Sequence, residues 1–317
     1  MESHPVISRH LKESGGFSDK WPPVILAGGL LGMYFVNAEY LARDKDGYKK
    51  FQDDSAALIR YAIAQAEKEP TFKEDIEILA ARAEKLFNEH CLFDPMISGG
   101  QTRDWIFSGP VAERLGVPHL SLYKGTVESP DYAELIFRGR TLPANNLKDL
   151  LKNNYDVHIV DLITEGSSIY TAGTPANPQE TGWLPMLQSR GANIDTVIAV
   201  VDRLQGGREN MARVGLNLES FVFIDDDYLR AHSGNPEEAA RYFKNPEAWS
   251  KEYLRAHGTK DLLAFFAPGG TKISHAVKFM KKFGPFLEEI GRREELEAQV
   301  LEKYNVPVDQ IIGGAAK

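Results

Sequence analysis

From residue 92 onward, short apolar runs alternate with segments of helical period, and this alternation constrains the fold more than any other feature of the chain. Apolar runs at 93–97, 119–123, 157–163, 196–201 and 220–224 are separated by helical stretches at 103–115, 146–153, 183–190 and 209–214. Repeated units of this kind predict an α/β fold with a mainly parallel sheet covered by helices. Ligands of such sheets lie at the carboxyl ends of the strands, so the loops that follow the strands are where chemistry is expected.

The flanking regions read differently. Residues 1–20 form a polar arm, and 24–37 is apolar, aromatic and punctuated by glycine, as two strands around a tight turn would be. A helix is expected from Ser55 to about residue 69, with Leu58, Ile59, Ala62 and Ile63 on one stripe. Thr71 with Glu74 three residues on has the form of a capping box for a second helix, whose Ile76, Leu79, Ala80 and Leu86 face inward. Beyond Asp225 the chain is charged and helical at 226–258 and 272–303, divided by Pro268-Gly269-Gly270. The expected organisation is an N-terminal arm and subdomain over 1–90, a core over 91–228 and a helical C-terminal extension over 229–317.

Composition narrows the function classes. With 37 Lys and Arg against 45 Asp and Glu in 317 residues, the formal charge is −8, which argues against general nucleic-acid binding. The single cysteine, Cys91, excludes an internal disulfide framework and fits a reducing compartment. No apolar stretch approaches the roughly 20 residues that span a bilayer, and the first twenty residues lack the apolar run of a secretory signal. A soluble, cytoplasmic protein with no membrane partner is expected.

The stretch from Val157 to Ser168 carries the most chemical information: an apolar strand runs into Asp161 and then into Thr164-Glu165-Gly166-Ser167-Ser168. Successive backbone N–H groups in such a loop, helped by hydroxyls, can form an anion-binding nest for a phosphate. Asp161 is placed to accept hydrogen bonds from sugar hydroxyls or to hold Mg²⁺ through water. The alternative is an ordinary strand-to-turn junction in which Asp161 and Thr164 make local turn bonds.

This stretch resembles the phosphoribosyl pyrophosphate (PRPP) motif of the type I phosphoribosyltransferases: an apolar strand, two acidic residues, two apolar residues, then Thr-x-Gly-x-Ser/Thr. Asp161 stands at the second acidic position, and Thr164 to Ser168 form the loop. Other segments extend the resemblance toward the orotate phosphoribosyltransferases. Leu26-Ala27-Gly28-Gly29, followed by Tyr34-Phe35-Val36-Asn37, looks like that family's N-terminal segment. The run from Asp94 to Arg103 is similar to its pyrophosphate loop, and Tyr123-Lys124 resembles its strand ending in Arg-Lys. Val201-Asp202-Arg203 through Arg208 looks like its Asp-Arg-x-x-x-Gly segment. These matches fall in family order across about residues 24–228.

The resemblance implies transfer of phosphoribosyl from PRPP to a nitrogenous base, with orotate the leading pyrimidine, pyrophosphate released and Mg²⁺ brought in by PRPP rather than ligated directly. It implies PRPP contacts from Gly99, Gly100, Arg103, Asp161, Thr164, Glu165, Gly166, Ser167 and Ser168, catalytic roles for Lys124 and Asp161, and base contacts from Tyr34, Phe35 and Arg203. It also implies a homodimer; in the family, a mobile segment after the Arg-Lys strand closes over pyrophosphate, and closure of residues 125–145 here is left open.

The chain departs from the family pattern at several points. Val160 replaces the first acid, Glu165 puts a carboxylate in the phosphate loop, Ala27 replaces a base-contacting Lys, and the segment after Lys124 has lost its Lys and His residues. These departures keep open a second expectation, a catalytically degenerate PRPP- or nucleotide-binding regulatory protein on the same fold. Individual residues have plain readings too. Arg103 is open to pairing with Glu113, Lys124 to being a solvated charge, and Arg203 to pairing with Asp202 or Asp225. His158 reads as a packed, hydrogen-bonded core residue, and Asp225-Asp226-Asp227 as the cap of the next helix. Neither Gly-x-Gly-x-x-Gly nor Gly-Lys-Ser/Thr occurs, which argues against other nucleotide-dependent α/β enzymes.

Overall fold

A computed structural model describes residues 2–26, 28–90, 93–124, 132–142, 151–152, 154–173, 179–270 and 272–314. The chain divides into two compact units, one of Met1–Phe17 with Val36–Ile224 and one of Ser18–Phe35 with Asp225–Lys317. The division differs from the boundaries expected at 90 and 228. Helices before residue 90 belong with the sheet, and a ribbon near the N-terminus belongs with the C-terminal helices.

The ribbon consists of β1 (Phe17–Ile25) and β2 (Leu31–Val36). The first unit holds a sheet of seven strands: β3 (Asp94–Gly100), β4 (His119–Tyr123), β5 (Tyr132–Phe137), β6 (Arg140–Leu142), β7 (Asn154–Ile163), β8 (Asn193–Asp202) and β9 (Asn217–Phe223). Their order across the sheet is β6-β5-β4-β3-β7-β8-β9. β4, β3, β7, β8 and β9 run parallel, and β5 and β6 add an antiparallel edge. The expected mainly parallel α/β architecture is therefore present. Its apolar runs were legible because parallel strands are covered on both faces: every residue of β7 except Leu162 is buried. The β5–β6 hairpin was not expected. It turns on Arg138 and Gly139, both at positive φ, the backbone of a tight two-residue turn, with an arginine where Asn or Gly usually signals it.

Helices cover the sheet. α1 (Pro5–Glu13) replaces the expected polar arm: Pro5 opens it, Ile7 and Leu11 are buried one turn apart, and buried His10 meets Asp75 at 2.8 Å. α2 (Ser55–Lys68) is capped by the Asp54 side chain, which accepts from Ala57 N at 2.9 Å. α3 (Pro70–Glu89) begins one residue before Thr71, so the expected capping box does not form. Pro70 sits at the first helical position, where its missing N–H is harmless, and Thr71 Oγ1 accepts from Arg43 Nε. α4 (Trp105–Leu115) packs on β3 and β7 and ends at Gly116, which is left-handed. α5 (Trp183–Ser189) and α6 (Gly207–Arg213) follow; Trp183, Leu184, Leu187 and Met211 pack with Met96, Val160 and Val197 in one apolar layer. The helix expected at 146–153 lies almost wholly outside the described residues.

In the second unit, the expected helix at 226–258 is three: α7 (Asp226–His232), α8 (Pro236–Lys244) and α9 (Pro246–His257). Two Asn-Pro pairs make the breaks. Asn235 and Asn245 cap the next helix through their side chains, and each following proline occupies its first position. Asp225 caps α7 by accepting from Tyr228 N at 2.8 Å, as expected of that acidic run. α10 (Ile273–Glu289), α11 (Arg293–Tyr304) and α12 (Val308–Gly314) complete this unit. Among the described residues no helix is long and apolar enough to cross a membrane.

Candidate active site

β3 and β7 are neighbours, but the chain leaves β3 toward β4 on one side and later returns to β7 on the other. Loops after the two strands diverge at such a switch point and open a crevice at the carboxyl edge. A cavity of about 190 Å³ lies there. Gln101, Thr102, Arg103 and Asp104 after β3 line it, with Lys124 after β4. Val160 and Asp161 of β7, then Thr164, Gly166, Ser167 and Ser168, form another wall, and Trp183 at the start of α5 closes it. Three segments singled out in the sequence thus meet at one cavity.

Arg103 is the electrostatic centre. Its Nε lies 3.2 Å from Asp161 Oδ2 and its Nη1 3.6 Å from Glu39 Oε2. The plain expectation of a pair with Glu113 is replaced by these two buried carboxylates. Asp104 ties the strand ends together: its Oδ2 accepts from Gly100 N at 3.1 Å and its Oδ1 from Asp161 N at 2.9 Å. Burial lifts the Asp104 and Glu39 carboxyls above their usual range, and the nearby Asp161 charge pushes both further the same way. The same acids, Asp161 foremost, raise the Arg103 guanidinium, which stays charged.

The loop after β7 has the form of an anion nest. Gly166 is at φ +78°, and its carbonyl accepts from Ile169 N and Tyr170 N, both at 3.0 Å. Among the described residues, the N–H groups of Gly166, Ser167 and Ser168 have no acceptor. These amides, with the Ser167 and Ser168 hydroxyls, supply fixed donors beside the cavity. Among the described residues no helix follows directly: Thr171 pairs with Thr181 in an isolated bridge, and α5 starts at Trp183. The donors that this loop presents are therefore backbone amides rather than those of a helix terminus.

Other expected contacts lie elsewhere. Gly99 and Gly100 are buried in β3 and do not line the cavity. A Cβ on Gly99 would overlap Ser108 Oγ and one on Gly100 the Trp183 indole, so close packing explains both glycines. Glu165 is exposed and outside the lining; its carbonyl accepts from Asn210 Nδ2 at 2.8 Å. Arg203 is buried after β8, its backbone N donating to Ile163 O, and it does not line the cavity. Tyr34 and Phe35 belong to the second unit. Tyr34 is buried edge-on to Tyr242, and Phe35 lies under the Lys20 ammonium. Ala27 and residues 125–131 lie outside the described residues, as does 143–145 of the 125–145 segment, whose 132–142 is the β5–β6 hairpin. Lys124 is at the cavity, its ammonium 5.3 Å from the Trp183 ring centroid and its backbone N–H donating to Gln101 Oε1.

Glu39, Asp104 and Trp183 were not expected. Asp104 follows Arg103 directly and precedes a helical run, which reads as helix-start chemistry. Nothing in the sequence around Glu39 or Trp183 marks either one; only the tertiary fold brings them to Arg103 and Lys124.

No protein-family model matches the sequence. Among solved structures, the chain is similar to an orotate phosphoribosyltransferase from Aeropyrum pernix, at 17% identity over 71% of this chain and 97% of that one, TM-score 0.47. It is also similar to a UMP synthase from Leishmania donovani, at 15% identity over 75% and 41% of the two chains, TM-score 0.44. An adenine phosphoribosyltransferase from Trypanosoma brucei gives 12% identity over 75% and 87%, TM-score 0.42. These scores are low, and the functional reading stands on the chain's own geometry.

Proposed function

We propose that this chain binds PRPP at the carboxyl edge of β3 and β7 and transfers its phosphoribosyl group to a nitrogenous base, orotate being the leading pyrimidine. The observation that carries the reading is the convergence of Arg103, Lys124, Asp161 and the 164–168 loop on one cavity at the switch point of the sheet. The loop amides and hydroxyls take the 5′-phosphate, Asp161 the ribose hydroxyls, and Arg103 with Lys124 the pyrophosphate. A base nitrogen bonds to C1 of the ribose as the C1–O bond breaks, and the electron pair leaves with pyrophosphate. The protein contributes orientation and charge neutralisation rather than covalent chemistry.

Arg103 must exchange one carboxylate for the ligand. Its pairs with Asp161 and Glu39 leave Asp161 Oδ2 and Glu39 Oε2 without a hydrogen bond among the described residues. Those oxygens suit hydroxyls or a hydrated Mg²⁺ chelated by the pyrophosphate, since hard oxygen donors are what Mg²⁺ prefers. When bound, the ion would neutralise phosphate charge.

A second reading, a protein that binds PRPP or a nucleotide without turnover, is favoured by two features. Trp183 packs onto Gly100, and the ion pair at Asp161 already uses one of the two cavity cations. Pyrophosphate release from Mg²⁺-PRPP, measured with orotate, other pyrimidines and adenine, separates the two. Base-dependent release supports transfer; PRPP binding with no release across the panel supports the binding protein. A cytoplasmic homodimer belongs to the same proposal, with sedimentation as its check.

A further inference from the structure

We propose that the second unit carries an aromatic corner that binds a quaternary ammonium group, a site independent of the phosphoribosyl chemistry. Trp249, Tyr253 and His257 recur every four residues along α9 and so share one face. Their rings form a ladder: Trp249 and Tyr253 have centroids 5.5 Å apart and planes 23° apart, Tyr253 and His257 4.6 Å and 31°. Trp21 of β1 meets this ladder at right angles, 5.7 Å and 89° from Tyr253 and 6.0 Å and 87° from His257. Trp21 is 57% exposed, whereas Trp105, Trp183 and Trp249 are buried. A cavity of about 230 Å³ opens in the corner, with Glu238, Arg241 and Glu252 on its remaining sides.

The geometry selects the ligand class. The ladder rings stack on one another, so the exposed Trp21 ring supplies the open face, against which a compact tetrahedral cation can rest with the carboxylates beside it. The polar groups refine the choice. Glu238 Oε2 accepts from Trp249 Nε1 at 2.6 Å, Glu238 Oε1 meets Arg241 Nη1 at 2.5 Å, and Glu252 pairs with Arg241 Nη2. With both Glu238 oxygens and one of Glu252 engaged, few acceptors remain for a primary ammonium, which needs partners for three N–H groups. A cation without N–H donors needs only ring faces and a favourable field. Two carboxylates against one guanidinium supply that field and disfavour anions.

Saturation-transfer NMR on the choline methyl protons tests this with the full chain. The wild type is expected to show saturable binding, competed by tetramethylammonium and not by ethanolamine. Trp21→Ala, at an exposed position, is expected to weaken binding by about tenfold or more, the weight of one partly desolvated cation–π contact. Trp21→Phe, which keeps an aromatic wall, is expected to recover part of it. No saturation transfer in the wild type, equal binding by Trp21→Ala, or ethanolamine competing as well as tetramethylammonium would each overturn the proposal. None of these results depends on PRPP.

Discussion

Two polar clusters share strands β3 and β7 only a few residues apart, and burial has driven them to opposite electrostatic states. In the body of the sheet, Ser98 Oγ donates to Asp156 Oδ2 at 2.6 Å and lies 2.8 Å from His158 Nδ1. All three residues are buried, and desolvation pushes Asp156 up to about 7 and His158 down to about 3, so both stay neutral over most of the acid range. At the carboxyl edge, Asp161 and Glu39 are nearly as buried, but a guanidinium stands between them and its charge is retained. The closed cluster links neutral partners through Ser98, with Asp156 Oδ1 and His158 Nε2 left without a hydrogen bond among the described residues. The open one keeps charge and lines the cavity, which is the condition for meeting a ligand.

The widest separation between the clusters is expected from Arg103→Met. Removing the guanidinium leaves two buried carboxylates without a counter-charge. Stability should fall by about 2–4 kcal/mol in urea unfolding, less than for a fully enclosed pair because Arg103 is part exposed. Retained stability would mean that the edge is not organised by charge. Ser98→Ala removes the hinge of the inner cluster and should cost about 2 kcal/mol by the same measure, while PRPP affinity stays unchanged. A loss of affinity with Ser98→Ala would erase the distinction between the two regions.

The pH dependence of stability sharpens it further. His158 and His119, the latter also held down to about 3 by burial, refuse protons that the unfolded chain takes up below about pH 6. Asp156 works the other way, keeping in the folded state a proton that the unfolded chain releases above about pH 4. Asp75, pushed up to about 8 by burial, and buried Asp104 oppose the two histidines in the same sense as Asp156, so the contribution of each group is read from its variant. Asp156→Asn removes one of these opposing groups and should make the slope of stability against pH between about pH 4 and 6 more positive by about one proton, about 1.4 kcal/mol per unit. An unchanged slope would show that Asp156 is ionised in the folded core. The smallest effect belongs to Glu165→Gln: an exposed carboxylate outside the cavity should alter PRPP affinity by less than about twofold. A large gain on neutralising it would place that charge at the phosphate.

The sheet and the loop after β7 were legible because their determinants are local. Strands buried on both faces write themselves as unbroken apolar runs, and a Thr-x-Gly-Ser-Ser loop brings its own small residues and free amides. His158 was correctly read as a core residue, since a lone histidine inside such a run has nowhere else to go. The missed features depend on distance in sequence. That Arg103 would be held by Asp161 and Glu39 follows only from the adjacency of β3 and β7, and the contact of Trp183 with Gly100 only from where α5 lands on the sheet. α1 escaped notice because only Ile7, His10 and Leu11 of its nine residues are buried, a signal too sparse to show a period. Tyr34 and Phe35 matched a motif locally but fold into the ribbon unit, where Tyr34 packs on Tyr242.

The central claim is that the edge cluster is a working PRPP site built around Asp161. Calorimetric titration of PRPP with Mg²⁺ into the wild type and into Asp161→Ala tests it most directly. The account predicts micromolar binding by the wild type and its loss in the variant, with the fold intact because Arg103 keeps Glu39. No binding by the wild type, or equal binding by both proteins, would contradict it.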